Sequence, residues 1–255
     1  MSVAAIASSI HDLATIPLSE LVAGAALQTR TDRKYIVGTE TVDELISRLS
    51  GGLRALAIDD RRVFSYESVY FDTPDLRCYH DAARRRPRRF KVRTRTYLDS
   101  GRCAVELKHR DARGKTVKER HDHDVEARRE IAPAIEFLTS FPAVRAIADQ
   151  LAPTLTTSYR RSTLLVGDDE GRATIDGDVT AVDESGRRID LSHHMLIETK
   201  SNGHPTQLDR VLWQLHVRPI RISKYCTSLA ALHADLPAHP WHRTLARLAP
   251  HRSVA

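Results

Sequence analysis

The chain has little of several things, and each shortage argues against a class of protein. Its 255 residues hold three cysteines, Cys78, Cys103 and Cys226, far apart and in no paired spacing. That spacing suggests neither a disulfide framework nor a zinc site, and a reducing, cytoplasmic setting fits. No apolar run approaches membrane-spanning length. Residues 1–7 are apolar and small but carry no basic flank, and Asp12 and Glu20 interrupt the next stretch, so no signal peptide is expected. There is no G-x-x-x-x-G-K-[ST] loop and no G-x-G-x-x-G turn, so any bound nucleotide is held in neither of those ways. A G-x-S-x-G nucleophile elbow is also missing. The 13 histidines form no H-E-x-x-H or other ligand spacing. His193-His194 reads as a turn and His121 and His123 as alternate strand positions, so surface histidines are expected rather than a metal site.

What the chain does have is positive charge. Lys and Arg number 39 against 33 Asp and Glu, a net of +6. Such a balance suggests an anionic partner: nucleic acid, a phosphorylated metabolite, polyphosphate or a lipid surface. A mildly basic surface without a dedicated partner has the same composition. The hydrophobic content of 41% is enough to bury a core. The length allows one large domain or two small ones. With no internal repeat and no linker, one α+β domain is expected.

The coarse pattern is strand-rich. Apolar positions at helical spacing over 9–26 suggest one or two short helices, and 27–37 alternates as a strand. Residues 41–49 read as a helix, with Thr39 or Thr41 as cap and Gly51-Gly52 as its end. Strands come next at 63–72, 89–98, 103–109 and 116–125, joined by short polar turns that favour an antiparallel meander. Residues 131–151 are helical, punctuated by Pro133 and Pro142. Three more strands fall at 154–166, 172–182 and 194–200, helices at 206–215 and 223–236, and a poorly ordered tail after Pro237. Eight antiparallel strands with local pairings can close into a barrel and remove exposed edges.

Charge sits on one side of almost every strand. Side chains alternate faces along a strand, so Lys91, Arg93 and Arg95 point the same way. So do Arg30, Asp32 and Lys34, then Glu106 and Lys108, then Lys118 and Arg120. Tyr159 with Arg161, the trio Arg172, Thr174 and Asp176, and Glu198 with Lys200 repeat the pattern. Like charges in a row repel unless a polyanion lies among them. These faces are either the solvated outside of a sheet or a charge-lined interior. In the second case Arg would grip phosphate bidentately and Lys as a point charge, while the few carboxylates could hold Mg²⁺ or Mn²⁺.

The ordered set of motifs resembles the VTC domain of the triphosphate tunnel metalloenzyme (CYTH-like) superfamily, the polyphosphate polymerase domain of the vacuolar transporter chaperone type, with bacterial relatives. The matching pieces are Arg30-x-Asp32-x-Lys34-Tyr35, Ser68-Val69-Tyr70-Phe71-Asp72-Thr73 with Tyr79, and Lys91-x-Arg93-x-Arg95. Glu106-x-Lys108, Lys118-x-Arg120, Tyr159-x-Arg161, Arg172-x-Thr174-x-Asp176, Glu198-x-Lys200 and Ser223-Lys224-Tyr225 continue in family order.

The resemblance implies an eight-stranded antiparallel closed barrel, a tunnel domain over 27–236, after an N-terminal helical segment at 1–26 and before a flexible tail at 237–255. It implies a polymerase that moves the γ-phosphate of ATP, or another nucleoside triphosphate, onto inorganic polyphosphate. A hydrolase of tripolyphosphate or nucleoside triphosphate, or a non-catalytic polyphosphate binder, is the alternative. Lys34, Arg93, Arg95, Lys108, Arg161, Arg172 and Lys224 are implied as the catalytic phosphate clamp. Lys91, Lys118, Arg120, Lys200, Arg221, Ser223 and Tyr159 are implied as further substrate contacts, with Arg221 standing where the family commonly has Lys. Glu198 is the first metal candidate, for Mn²⁺ or Mg²⁺, with Glu106 and Asp32 behind it. Asp32 replaces a Glu common among relatives, and its shorter reach suits orienting Lys34. Specific nucleic-acid binding is not expected, and room is left for a membrane partner. The basic run at residues 84–89 is left open, either as a solvated loop or as a guide for RNA or polyphosphate.

Overall fold

The structure is a computed structural model that describes residues 8–23, 31–111, 114–167 and 171–248. Arg30 lies outside them. The strands are β1 (Ala14–Ile16), β2 (Thr31–Val37), β3 (Leu53–Leu56), β4 (Phe64–Asp72), β5 (Phe90–Tyr97), β6 (Arg102–Arg110) and β7 (Thr116–His123). The rest are β8 (Ala152–Val166), β9 (Gly171–Asp183), β10 (Arg188–Asp190) and β11 (Met195–Ser201). The helices are α1 (Leu18–Ala23), α2 (Thr39–Leu49), α3 (Arg77–Ala83), α4 (Ile135–Thr139) and α5 (Pro142–Arg145). They continue with α6 (Gln207–Gln214), α7 (Lys224–Leu232) and α8 (His242–Leu248).

The fold is α+β. Eight strands form one hydrogen-bonded path, β2-β11-β9-β8-β4-β5-β6-β7, and β4 to β7 are the expected antiparallel meander. The closed barrel is a correction: among the described residues no pairing joins β2 to β7. The two ends show why closure is not forced. The outer edge of β2 is covered where Ile220 N–H donates to the Lys34 carbonyl at 2.7 Å. The outer edge of β7 carries Lys118, Glu119, Arg120 and Asp122, charges of the kind that protect a free edge from further pairing. Nor are all pairings local, since β2 pairs with β11 across the sequence.

The chain divides into two compact units. Unit 1 comprises Met1–Phe64, Tyr159–Val179 and Asp190–Arg221; unit 2 comprises Ser65–Ser158, Thr180–Ile189 and Ile222–Ala255. Each has its own core.

In unit 1, Val42, Leu45, Ile46 and Leu49 recur at helical spacing on α2 and are all buried. They pack with Tyr35, Val37, Ala173, Ile175, Met195 and Ile197, the alternate positions of β2, β9 and β11, and with Leu208 and Leu212 of α6. The cap of α2 is Gly38, without a side-chain bond, rather than either threonine. By contrast α6 starts with a full capping box, Thr206 and Asp209. Gly171 opens β9 where a Cβ would stand 2.1 Å from the Lys200 carbonyl oxygen, so only glycine lets the two backbones approach there. In the N-terminal stretch, Leu13 and Ile16 have helical spacing, yet β1 forms there because it pairs in parallel with β3.

In unit 2, Val69, Phe71, Phe90, Val92, Val105 and Leu107 alternate along β4, β5 and β6 and bury one sheet face. Leu138 of α4 and Val144 of α5 cover them. The region 131–151 is broken into short helical pieces, two of them with a proline in the first turn, as Pro133 and Pro142 foreshadow. A second cluster joins Tyr70, Tyr79, Leu155, Tyr225, Leu229 and Trp241. Trp241 and the α8 residues Thr244 and Leu248 are buried, so the segment after Pro237 is helical to Leu248 where an unordered tail was expected.

Candidate functional site

Each unit turns its helices to the apolar face of its strands and leaves the opposite face charged. In unit 1, β11 lies between β2 and β9, and the register puts Glu198 opposite Lys34 on one side and Thr174 on the other. Lys200 likewise stands opposite Asp32 and Arg172. Lys34 Nζ approaches one Glu198 oxygen at 3.3 Å and Lys200 Nζ the other at 3.5 Å, with the Glu198 side chain 20% exposed. Arg161 of β8 pairs with Asp176 through two hydrogen bonds, 2.5 and 2.8 Å, and its guanidinium lies over the Tyr159 ring at 5.3 Å. Burial works against the charge on Arg161, but Asp176 outweighs it and holds the guanidinium firmly protonated. Arg172 donates to the Leu21 carbonyl at 3.4 Å.

In unit 2 the registers form rows across the meander. One row is Tyr70, Arg93, Glu106, Arg120; the next holds Lys91, Lys108 and Lys118. Glu106 is 2% exposed. Arg93 reaches it through two bonds, 2.6 and 3.0 Å, Lys118 Nζ stands at 3.1 Å, and Arg95 at 3.9 Å. Burial pushes the Glu106 carboxyl up, but the fields of Arg93, Arg95 and Lys118 outweigh it and hold it well below the usual carboxylate range. Arg120 is drawn aside: it is exposed and lies over the Tyr97 ring at 5.2 Å.

The start of α7 is tied to this face twice. Ser223 caps the helix by accepting the Cys226 N–H at 3.2 Å, and its Oγ also accepts Lys91 Nζ at 2.8 Å. Two residues on, Tyr225 stacks on Tyr70 with ring centroids 5.1 Å apart, and Tyr70 OH accepts from Arg93 at 3.0 Å. Tyr225 OH in turn donates to buried Asp72 at 2.5 Å, and Asp72 also accepts the N–H groups of Thr73, Cys78 and Tyr79. Burial, then the Asp72 charge, push the Tyr225 hydroxyl up, so it remains a donor. Lys224 is the first residue of α7, between these two ties, while Arg221 is exposed.

The placement sorts the expected residues. Within unit 1, Lys34, Glu198, Lys200 and Asp32 share one face, with Arg172 and Asp176 on the neighbouring strand. Within unit 2, Lys91, Arg93, Arg95, Glu106, Lys108 and Lys118 do the same. Tyr35 does not belong with them, for its hydroxyl donates to Asp209 in the unit 1 core at 2.6 Å. Asp72 and Tyr225 had no role assigned from the sequence. Tyr70 could have been placed, since Ser68-x-Tyr70 alternates onto the face of β4 that meets Arg93 and Arg95.

These charged faces are not ordinary solvated surface. Among the described residues, Ser68 Oγ and Arg95 Nε in unit 2, and Thr174 Oγ1 in unit 1, are buried without a hydrogen-bond partner in the protein. Ser68 and Arg95 are direct cross-strand partners, and Thr174 is the partner of Glu198. Buried polar groups are rarely left unpaired, so in each unit these atoms mark where a polar ligand would complete the bonding.

A divalent cation has a narrower fit. Among the described residues, no three His, Cys, Asp or Glu side chains converge to cage a metal. Glu198 and Thr174 offer a carboxylate and a hydroxyl, hard oxygen donors that suit Mg²⁺ or Mn²⁺ when phosphate oxygens and water supply the remaining ligands. Glu106 fits less well, because it is buried and its oxygens are held more tightly, by Arg93 at 2.6 Å and Lys118 at 3.1 Å.

Among the described residues, no helix is long and apolar enough to cross a membrane. The sequence matches the family described as the VTC domain over residues 29–233. No curated protein matches it. Among solved structures, a Pyrococcus horikoshii OT3 protein is 15% identical with TM-score 0.41, covering 73% of this chain and 87% of that one. A conserved hypothetical protein of Pyrococcus furiosus is 12% identical with TM-score 0.40, covering 77% and 98%. A Hippeastrum protein, named for adenylyl cyclase and described with a dominant triphosphatase activity, is 14% identical with TM-score 0.46, covering 81% and 97%.

Proposed function

The chain belongs to the VTC-domain family, and on that premise we propose that it is a metal-dependent polyphosphate polymerase. The observation that supports this reading most is the pairing of buried, unsatisfied donors with cation rows on the same strand faces. The donor is ATP or another nucleoside triphosphate, and the acceptor is phosphate or the end of a polyphosphate chain.

The bond between the β- and γ-phosphates breaks, one forms between the γ-phosphorus and an acceptor phosphate oxygen, and the nucleoside diphosphate leaves. The acceptor oxygen is already ionised, so no general base is required. The work left to the protein is positioning and charge neutralisation. Lys34, Arg161, Arg172 and Lys200 supply it in unit 1. Arg93, Arg95, Lys91, Lys108, Lys118 and Lys224 supply it in unit 2. A bound Mg²⁺ or Mn²⁺ would supply charge stabilisation at the transferring phosphoryl group, with Glu198 as its protein ligand.

Purified protein incubated with ATP and Mn²⁺ tests the proposal. Long-chain polyphosphate is the expected product. Orthophosphate alone would make the chain a hydrolase, and unchanged nucleotide with bound polyphosphate would make it a binding protein.

A further inference from the structure

The basic run at residues 84–89 has no part in the strand faces, yet it is built into a defined place. It comes directly after α3, and its backbone is pinned. Arg84 N–H donates to the His80 carbonyl at 2.9 Å, Arg85 to Ala82 at 3.2 Å and Arg86 to Asp81 at 2.8 Å. Arg85 adopts a left-handed φ of 55°, which turns the chain. Arg89 closes the turn by donating through its guanidinium to the Arg86 carbonyl at 2.8 Å. Pro87 restricts the backbone between them.

This turn and α3 line an open groove of about 630 Å³ in unit 2. Arg77, Arg84, Arg86 and Arg88 face it, with His80. Its two carboxylates are already engaged: Asp81 accepts from Arg77 at 3.2 Å and Asp75 from the Thr73 hydroxyl at 2.5 Å. Among the described residues, the guanidinium groups of Arg84, Arg86 and Arg88 form no ion pair, and His80 Nδ1 is buried without a partner. Four arginines line the groove against two carboxylates, one of them already paired with Arg77, so cationic charge is left in excess. A polyanion would offset that excess.

The groove's last arginine is close in sequence to the strand cations. Arg88 lies three residues before Lys91, a reach of about 10 Å in extended chain. Lys91 is the residue bound to Ser223 at the start of α7.

We infer that this groove is a second phosphate-binding site, which holds the distal part of a condensed-phosphate chain whose nearer part lies on the strand cations. The inference rests on the proposed polyphosphate function. Arginine suits the task because its fork binds phosphate oxygens bidentately without reading a base. No Phe, Tyr or Trp lines the groove, so it lacks the large rings on which successive bases of single-stranded nucleic acid would stack. The site therefore distinguishes long chains from short ones: tripolyphosphate is satisfied by the strand cations alone.

The test is a binding comparison on the full chain, using long-chain polyphosphate, tripolyphosphate and single-stranded RNA. The variant is Arg84→Ala/Arg86→Ala/Arg88→Ala, whose surface positions leave the core untouched. Its affinity for the long chain should fall at least tenfold, with the slope of log affinity against log salt shallower by about two. Its tripolyphosphate affinity should match that of the wild type. Unchanged long-chain affinity would overturn the second site. So would RNA that binds the wild type more tightly than polyphosphate and loses that advantage in the variant. If the wild type bound neither phosphate ligand, the functional reading itself would fail, which is a different result from failure of the groove alone.

Discussion

The two units use a carboxylate among cations in opposite ways. In unit 2, Glu106 is 2% exposed and held by Arg93 at 2.6 Å and Lys118 at 3.1 Å. In unit 1, Glu198 is 20% exposed, with its two lysines at 3.3 and 3.5 Å. A buried charge must stay paired, so Glu106 is a fixed counter-charge that sets the direction of Arg93 and Arg95. A half-open carboxylate in looser pairs can exchange a lysine for another cation at little cost. Two residues that look alike as E-x-K motifs thus divide into a scaffold part and a metal candidate. The same contrast runs through the buried aspartates. Asp209 ties α6 to the core side of unit 1 through Tyr35 and Thr199, whereas Asp72 ties α7 through Tyr225 to the charged side of unit 2.

Removing Arg93 should break this comparison most forcefully. Arg93→Ala leaves Glu106 buried with its nearest cation gone and should destabilise the protein by about 3 kcal/mol in urea unfolding. Adding Glu106→Gln should recover part of the loss, a coupling that a double-mutant cycle measures. Additive losses would show that Glu106 is not the counter-charge.

A smaller effect is expected at the hub below it. Asp72→Asn should cost about 2 kcal/mol, because a carboxylate accepting three backbone N–H groups and a tyrosine loses its charge. A lowered melting temperature, with tripolyphosphate affinity falling alongside it, is the expected pair of readings.

Acid sharpens the distinction. The pKa of Glu106 is depressed in the folded state, so its contribution is fully present above its unfolded value of about 4.5 and is lost as pH falls below that. Melting temperature should therefore drop more steeply between about pH 4.5 and 3 in the wild type than in Glu106→Gln. Parallel curves would rule this contribution out.

The smallest stability effect belongs to Glu198→Gln, under about 1 kcal/mol, because its pairs are partly solvated. Its effect on turnover should be the largest, with loss of metal-stimulated product formation. Full activity in that variant would remove Glu198 from the metal role.

The strands were legible because long alternating runs announce themselves. Lys91-x-Arg93-x-Arg95 stands out against Val92 and Thr94 whether or not a partner strand is known. Helices α2, α6 and α7 were legible from apolar spacing and, for α7, from Ser223. Strands of three or four residues, β1, β3 and β10, were not, since so short a run shows no period. Helix α8 hid in a tail rich in Pro, His and Arg, because the burial of Trp241 depends on Tyr79, Tyr225 and Leu229. Barrel closure failed for a related reason. Alternation says which face a residue takes but not what covers a strand edge, and here Ile220 covers that of β2.

By itself, then, the sequence determined where the long strands form, which of their residues share a face, and that those faces are rich in cations. These properties arise from local periodicity, where each residue's side is set by its neighbours in the chain. Only the tertiary structure decided which cations meet which carboxylate, how deeply each pair is buried, and where Asp72 and Tyr225 enter. Register between distant strands, such as Glu198 against Lys34, is set by packing of the opposite, apolar face. Depth of burial is what separates a counter-charge from a ligand, because the cost of an unpaired charge rises as water is removed.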